Sequence, residues 1–277
     1  MTTSLLTVGA HVATAANDEH PKIDYTVDRF ADIEILRYEV PGFEELSLQQ
    51  KQLLYHLSEA ALMGRDIIFD QNCRYNLAIR RALEAIYREY RGDRGDAQFK
   101  ALETYLKRVW LANGIHHHYG EDKFEPTGFT ADYFAKCIRS LDPKHVPVRK
   151  GQTVDAWLKE ITPVIFDPKV MPKRTVQSGS GDLLLASANN YYEGGVTQKE
   201  AEAFYAAMRT PNDSTAPSYG LNSRLCKSAD GKLTEKVWKV GGLYTEAIEH
   251  IVDELQKAEQ FAENAAQRAV IEKLVEF

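Results

Sequence analysis

Apolar residues recur at helical spacing along most of this chain, in segments divided by turn-forming residues. Asp24 to Val40 mixes β-branched, aromatic and charged residues and ends at Pro41-Gly42, a turn signal. Ser47-Leu48-Gln49-Gln50 then has the form of a capping box. It opens a helix in which Leu53, Leu54, Leu57, Ala60 and Ala61 share the helical period, ending near Gly64. The spacing of Ile79, Leu83, Ile86 and Tyr87 predicts a second helix over Asn76–Tyr90. A charged loop, Arg91-Gly92-Asp93-Arg94-Gly95-Asp96, closes it. A third helix is predicted over Phe99–Ala112, with Asn113-Gly114 as its C-terminal stop.

Further on, the pattern predicts a short helix within Gly128–Leu141 and another over Thr153–Thr162. Gln177–Gly181 is a loop of small residues. Thr197 with Glu200 forms a second capping box, for a helix reaching Met208, and Pro211–Gly220 is rich in turn formers. Asn222–Lys227 and Lys232–Val240 read as a hairpin around Ala229-Asp230-Gly231. After Gly241-Gly242 a long helix carries Tyr244, Ile248, Ile251, Leu255, Ala258, Phe261 and Ala262 on its apolar side. A break is expected near Asn264, with helical spacing resuming through Val270 and Leu274 to an uncapped end at Phe277. There is no internal repeat. Helices with a smaller β component make the expected class α+β.

Composition narrows the functional classes. The chain has 277 residues, 44% hydrophobic and 27% charged, in the range of ordinary soluble domains. A net charge of −6 without a basic face argues against nucleic acid as a partner. No run approaches the roughly 18 apolar residues of a membrane span. The three cysteines, Cys73, Cys137 and Cys226, are far apart and contain no Cys-x-x-Cys, so neither a disulfide framework nor a zinc ribbon is supported. Residues 1–23 read as a disordered or signal-like start. The weakly apolar Leu5–Ala10 and the small-x-small Ala13-Thr14-Ala15 fit cleavage after Ala15 and a periplasmic protein. The missing basic n-region fits a cytoplasmic one.

The densest candidate chemistry is Asn113-Gly114-Ile115-His116-His117-His118-Tyr119-Gly120, which holds three of the eight histidines. A metal site, a ligand-facing wall and a polar loop all use such residues. A catalytic zinc needs three converging protein ligands plus an open position. Consecutive helical residues point about 100° apart and cannot converge, whereas on a strand His116 and His118 would share a face. No His-Glu-x-x-His occurs anywhere, and His250 is followed by Ile251-Val252-Asp253-Glu254. Gln177-Ser178-Gly179-Ser180-Gly181 lacks the lysine and spacing of a phosphate loop, and neither serine sits in a Gly-x-Ser-x-Gly elbow. Tyr191-Tyr192 and Trp238 read as packing residues, and Asp93 and Asp96 beside Arg91 and Arg94 as a solvated charge cluster.

Several stretches together resemble the zinc-dependent dipeptidyl peptidase III family, particularly its bacterial branch. They are Phe30-Ala31-Asp32-Ile33-Glu34-Ile35-Leu36-Arg37-Tyr38 with Val40-Pro41-Gly42-Phe43, then Gly64-Arg65-Asp66-Ile67-Ile68-Phe69-Asp70-Gln71-Asn72, and the run from Asn113 to Gly120. The Tyr191-Tyr192 segment with the capped helix after it, and Tyr219 with Asn222-Ser223-Arg224-Leu225, are similar to bacterial and eukaryotic members. The resemblance extends from about Asp24 onward, and its force lies in the order and spacing of these stretches.

Members of that family release dipeptides from the N-termini of short peptides in a cleft between two lobes. The resemblance implies that residues 24–277 are the N-terminal part of the lower, substrate-cleft lobe, helix-rich with a small β-barrel or antiparallel sheet. The family's zinc motif, His-Glu-x-x-Gly-His, belongs to the other lobe, expected C-terminal to Phe277. By this implication the chain holds no catalytic residue and no metal ligand; zinc is the cofactor of the full-length enzyme, and short peptides and the catalytic lobe are the partners. Tyr119 before Gly120 matches an aromatic residue that lines the substrate cleft. His118 is a less direct match, and Asn113, His116 and His117 support the cleft wall. Two alternatives stay open at this point: a standalone peptide-binding module, and a metal-dependent hydrolase using His116 and His118 with distant acids.

Overall fold

The computed structural model describes residues 23–210 and 218–277. The signal-like start with Ala13-Thr14-Ala15 and most of the Pro211–Gly220 loop therefore lie outside the described residues. The chain divides at Pro41–Gly42 into two units, each described by itself.

The first unit carries an antiparallel hairpin, β1 (Thr26–Phe30) and β2 (Ile33–Leu36), paired Arg29 to Glu34 and Phe30 to Ile33. Its polar cross-strand pair is an exposed Arg29–Glu34 ion pair at 2.6 Å. The mixed composition of this stretch gave no strand prediction, since neither face is strictly apolar.

The second unit, Gly42–Phe277, begins with α1 (Leu48–Met63). Here the capping box is present: the Ser47 hydroxyl accepts the Gln50 N–H, and the Gln50 side chain accepts the Ser47 N–H at 2.9 Å. A short α2 (Arg65–Asn72) follows directly and was not anticipated; only its Phe69 is buried. Next come α3 (Asn76–Glu89) and α4 (Ala97–Ala112). The charged loop between them closes both helices: Arg94 donates to the Tyr87 and Tyr90 carbonyls, and Asp96 caps α4 through the Gln98 N–H. The α4 cap begins that helix two residues before the predicted start.

Helix α5 (Ala131–Arg139) is capped by Thr130, and α6 (Val154–Phe166) by Thr153. The spacing predicted that α6 ends at Thr162, yet it continues through Pro163. A proline inside a helix costs about 3 kcal/mol, but burial of Val164 and Ile165 offsets it, at about 1.5–3 kcal/mol each. The principal core lies between these four helices, built from Ile79, Leu83, Ile86, Leu102, Leu106, Phe134, Ile138, Ile161 and Ile165, with Phe69 and Phe99.

A single turn, α7 (Leu183–Ala186), and the two-residue β3 (Tyr192–Glu193) precede α8 (Gln198–Ala206), whose Thr197/Glu200 capping box is present. The hairpin read from sequence is β4 (Ser223–Lys227) with β5 (Leu233–Val237), registered Leu225 to Glu235. β3 joins β4 in parallel, making a three-stranded sheet. Of the two forms expected for the β component, the described residues carry a small sheet, antiparallel between β4 and β5 but mixed once β3 is included. Finally α9 (Thr245–Glu259) and α10 (Ala265–Glu276) are separated at Asn264, which caps α10. Leu53 and Ala60 of α1 pack with Leu255, Ala258 and Ile271 of these two helices in a second core. The architecture is α+β and helix-rich.

Candidate functional site

The histidine run begins where α4 stops. Asn113 takes a left-handed conformation (φ 52°), its N–H bonds to the Trp110 carbonyl, and the Gly114 N–H reaches Val109 at 3.0 Å. This pair of bonds is the usual satisfaction of the last carbonyls when a helix ends on a left-handed residue. Gly114 sits at φ 148°, and a Cβ there would lie 2.1 Å from Nδ2 of Asn76.

Asn76, on the first turn of α3, is fully buried. Its Nδ2 donates to the Phe69 carbonyl at 3.0 Å, and its Oδ1 accepts the Ile115 N–H at 3.1 Å. Asn72 adds a bond from its Nδ2 to the Asn113 carbonyl, also 3.0 Å. Two side chains from α2 and α3 thus bind the backbone that leaves α4.

The three histidines have three different settings. His116 is buried, and its Nε2 lies 2.9 Å from the Met171 carbonyl while Nδ1 has no partner. A carbonyl only accepts, so Nε2 carries the proton. Burial pulls the pKa of this imidazole below its ordinary value, with Lys123 and Arg174 adding repulsion, which favours the neutral ring. His117 turns its Nδ1 toward the N–H groups of Tyr119 (3.2 Å) and Gly120 (2.9 Å), bracing the turn that follows. His118 is half-buried and lies between two rings: His117 stacks on it at 4.7 Å, and Tyr119 is tilted against it at 4.3 Å. Tyr119 itself is 85% exposed.

The returning chain is pinned from the other side. The His117 N–H bonds to Asp122 at 2.7 Å, the Phe124 N–H to Ile115 at 2.9 Å, and the Lys123 N–H to Pro172 at 2.9 Å. Glu121, at φ 65°, receives both Nε and Nη2 of Arg174, and Nη2 also reaches the His118 carbonyl at 3.3 Å. That guanidinium holds the Glu121 carboxyl below its ordinary pKa. The Lys123 ammonium donates to the carbonyls of Val164, Asp167 and Val170, closing the C-terminal end of α6.

The six residues picked from sequence are therefore adjacent in the chain but not all at one surface. Tyr119, His117 and Gly120 border open space. His117 and Gly120, on either side of Tyr119 in the chain, line a cleft of about 490 Å³ with Arg108, Asp122, Lys123, Phe124, Glu125 and Thr127; Tyr119 itself is not part of that lining. His118 supports the Tyr119 ring, and His116 points inward. Asn113 lines a different cleft, with Phe69, Arg80 and Trp110. Nor do His116 and His118 lie on a strand: beyond one bridging pair, His116 with Lys123, the run is irregular. Among the described residues, no three His, Cys, Asp or Glu side chains gather as a metal set. Ser178 and Ser180 sit on an exposed loop.

Reading along the sequence missed Asn76, Met171 and Arg174, which fix the site from 39 to 55 positions away. No local pattern signals them. It also missed a part-buried junction. Arg224 pairs with Asp70 and donates through Nε to the Asn190 carbonyl at 2.9 Å, while the Asn190 side chain donates to Asp70 at 3.0 Å. Trp238 stacks under that guanidinium at 5.6 Å, and Tyr191 packs edge-on against Trp238. Asp70 and Arg224 come from two of the stretches quoted for the resemblance, and Asn190, which joins them, directly precedes Tyr191-Tyr192.

No protein-family model matches this sequence, and no curated protein matches it. Among solved structures, the chain is similar to the structure of DPP III from Caldithrix abyssi, with 17% identity and a TM-score of 0.48, covering 84% of this chain and 31% of that one. The chain thus spans about a third of the length of that structure, and a similarity at this level assigns neither residue roles nor an activity.

Proposed function

We propose that this chain is a peptide-binding portion of a peptidase of the dipeptidyl peptidase III type, and that the Tyr119 loop is a wall of its peptide cleft. The observation that carries this reading is the contrast between Tyr119 and its foundations. The ring is almost fully exposed, yet the loop presenting it is fixed by Asn76, by buried His116 and by the Glu121–Arg174 pair. An exposed aromatic ring on a preorganised loop loses little entropy on binding, and its face and hydroxyl suit both apolar side chains and peptide groups. Asp122 and Glu125 border the adjoining cleft and complement the ammonium group of a peptide N-terminus. The resemblance of the motifs quoted above supports this choice of family.

In this reading zinc is held elsewhere, and the described residues of this chain gather no ligand set for it. His116 Nε2 and His117 Nδ1 are taken up within the loop, and no three His, Cys, Asp or Glu side chains converge among the described residues. The chain's own contribution is to bind and orient the peptide, and bond cleavage belongs to residues it does not hold.

Titration calorimetry of the full chain with tetra- and pentapeptides tests the reading. Binding is expected, with Tyr119→Ala weakening it about tenfold, the scale of one lost aromatic contact of about 1.4 kcal/mol. Affinity unchanged by Tyr119→Ala refutes the assignment of the cleft. Release of dipeptides from a dipeptidyl arylamide by the purified chain refutes the division of labour.

A further inference from the structure

Helix α1 has two apolar faces, and only one is covered. Leu53, Leu57 and Ala60 pack against α9. On the opposite side Leu48, Tyr55 and Leu62 are 73, 59 and 50% exposed. Seven-residue spacing drifts only about 20° per repeat on a straight helix, so the three form one line along the axis. A surface helix normally carries polar residues there.

The face is also symmetric about Tyr55. Leu48 lies seven positions before it and Leu62 seven after, while Lys51 lies four before and Glu59 four after. We propose that a second copy of this chain docks antiparallel along this face, α1 against α1, with the two-fold axis at Tyr55. Each Leu48 then meets Leu62 of the other copy, the tyrosines meet each other, and Lys51 stands level with Glu59 of the second copy. A parallel arrangement sets Lys51 beside Lys51 and Glu59 beside Glu59, so charge selects the antiparallel one.

The polar partners are available. The Lys51 ammonium gives one bond to the Glu44 carbonyl at 3.0 Å and lies over the Phe43 ring at 5.5 Å, which leaves donors to spare. Glu59 has no ion-pair partner among the described residues. Leu62 also borders a cleft of about 830 Å³ whose apolar side is Met63, Trp110 and Leu111, each about two-fifths exposed, and whose polar side includes Arg65, Asp66, Arg80 and Glu84; the apolar side receives Leu48 of the second copy. The two-fold axis repeats that anchor at the other end of the contact, as an isologous interface requires. A seam of one helix, about 24 Å long, with two such anchors gives a reversible dimer in the micromolar range rather than an obligate one.

Sedimentation velocity of the full chain from about 1 to about 200 µM, a range spanning such a Kd, is the test. A concentration-dependent monomer–dimer equilibrium is expected. Lys51→Glu and Glu59→Lys should each raise Kd at least about threefold, and the double swap should restore it to within about twofold, because the charge pair is re-formed across the axis. Tyr55→Glu should abolish the dimer with the circular dichroism unchanged, and Leu48→Ser, on the exposed first turn, should weaken it without touching either core. A chain monomeric throughout the range, a dimer indifferent to Tyr55→Glu and Leu48→Ser, or a swap no better than the single variants overturns the proposal.

Discussion

Replacing Asn76 by alanine should loosen the Tyr119 loop at its root, by an amount the geometry bounds. Of the groups Asn76 serves, the Phe69 carbonyl keeps the Cys73 N–H at 3.3 Å and the Asn113 carbonyl keeps Asn72 at 3.0 Å. The Ile115 N–H, buried and bonded only to Asn76 Oδ1 at 3.1 Å, is orphaned. An unsatisfied buried donor costs about 1–3 kcal/mol, and the small void left by the amide adds about 1 kcal/mol. The sum, about 2–4 kcal/mol, corresponds to a fall in Tm on the order of 5–10 °C. Amide exchange read by NMR locates the effect: Ile115 should lose protection in Asn76→Ala, while Leu83 in the middle of α3 changes only as far as global stability does. The neighbouring glycine gives an internal check. Gly114→Ala meets Asn76 Nδ2 at 2.1 Å, so its cost should shrink on the Asn76→Ala background, leaving only the strain of φ 148°. A Tm loss under about 2 °C, or unchanged protection at Ile115, would refute the reasoning that this side chain holds the loop.

Other predictions concern charge and pH. Arg174 holds the Glu121 carboxyl below its ordinary pKa of 4.5, so the stability from this pair is present above that pH and lost as pH falls through the lower folded value. Glu121→Gln should cost about 1–3 kcal/mol at pH 7, and its Tm should decline less steeply than that of the parent chain below pH 4.5, as read by differential scanning calorimetry. Burial lowers the pKa of His116 from 6.5, so as pH falls the unfolded chain takes up that proton first; the stability is complete above 6.5 and is lost on descent toward the folded value. Imidazole NMR should show His116 as the neutral Nε2–H form at pH 6.5, and a ring half-protonated there contradicts the assignment. Tyr119→Ala, altering a ring 85% exposed, should leave Tm within about 1 °C while weakening peptide binding.

Much of the local architecture was legible in the sequence. The capping boxes at Ser47 and Thr197, the left-handed stop at Asn113 and the restart at Asn264 all act within a few residues of themselves, so the chain encodes them locally. The hairpin of β4 and β5 belongs with them, since its strands are joined by a short turn around Asp230-Gly231. Where local rules gave way, distant burial was responsible: α6 runs on past Pro163 because Val164 and Ile165 have a core to enter.

The histidine run marks the boundary between the two kinds of information. Its sequence fixed its residue types and its place after a helix, and with them the range of roles open to it. Which nitrogen meets which partner depended on groups remote in the chain. Asn76 lies on α3 and Met171 and Arg174 beyond α6, and their hydrogen bonds form only once the core has brought those helices together. The same holds for Asp70 with Arg224, separated by 154 positions yet paired. Short-range capping and periodicity are decided by the backbone's immediate neighbours. The protonation of His116, the exposure of Tyr119 and the uncovered face of α1 are decided by what packs against them, and packing is a property of the folded chain alone.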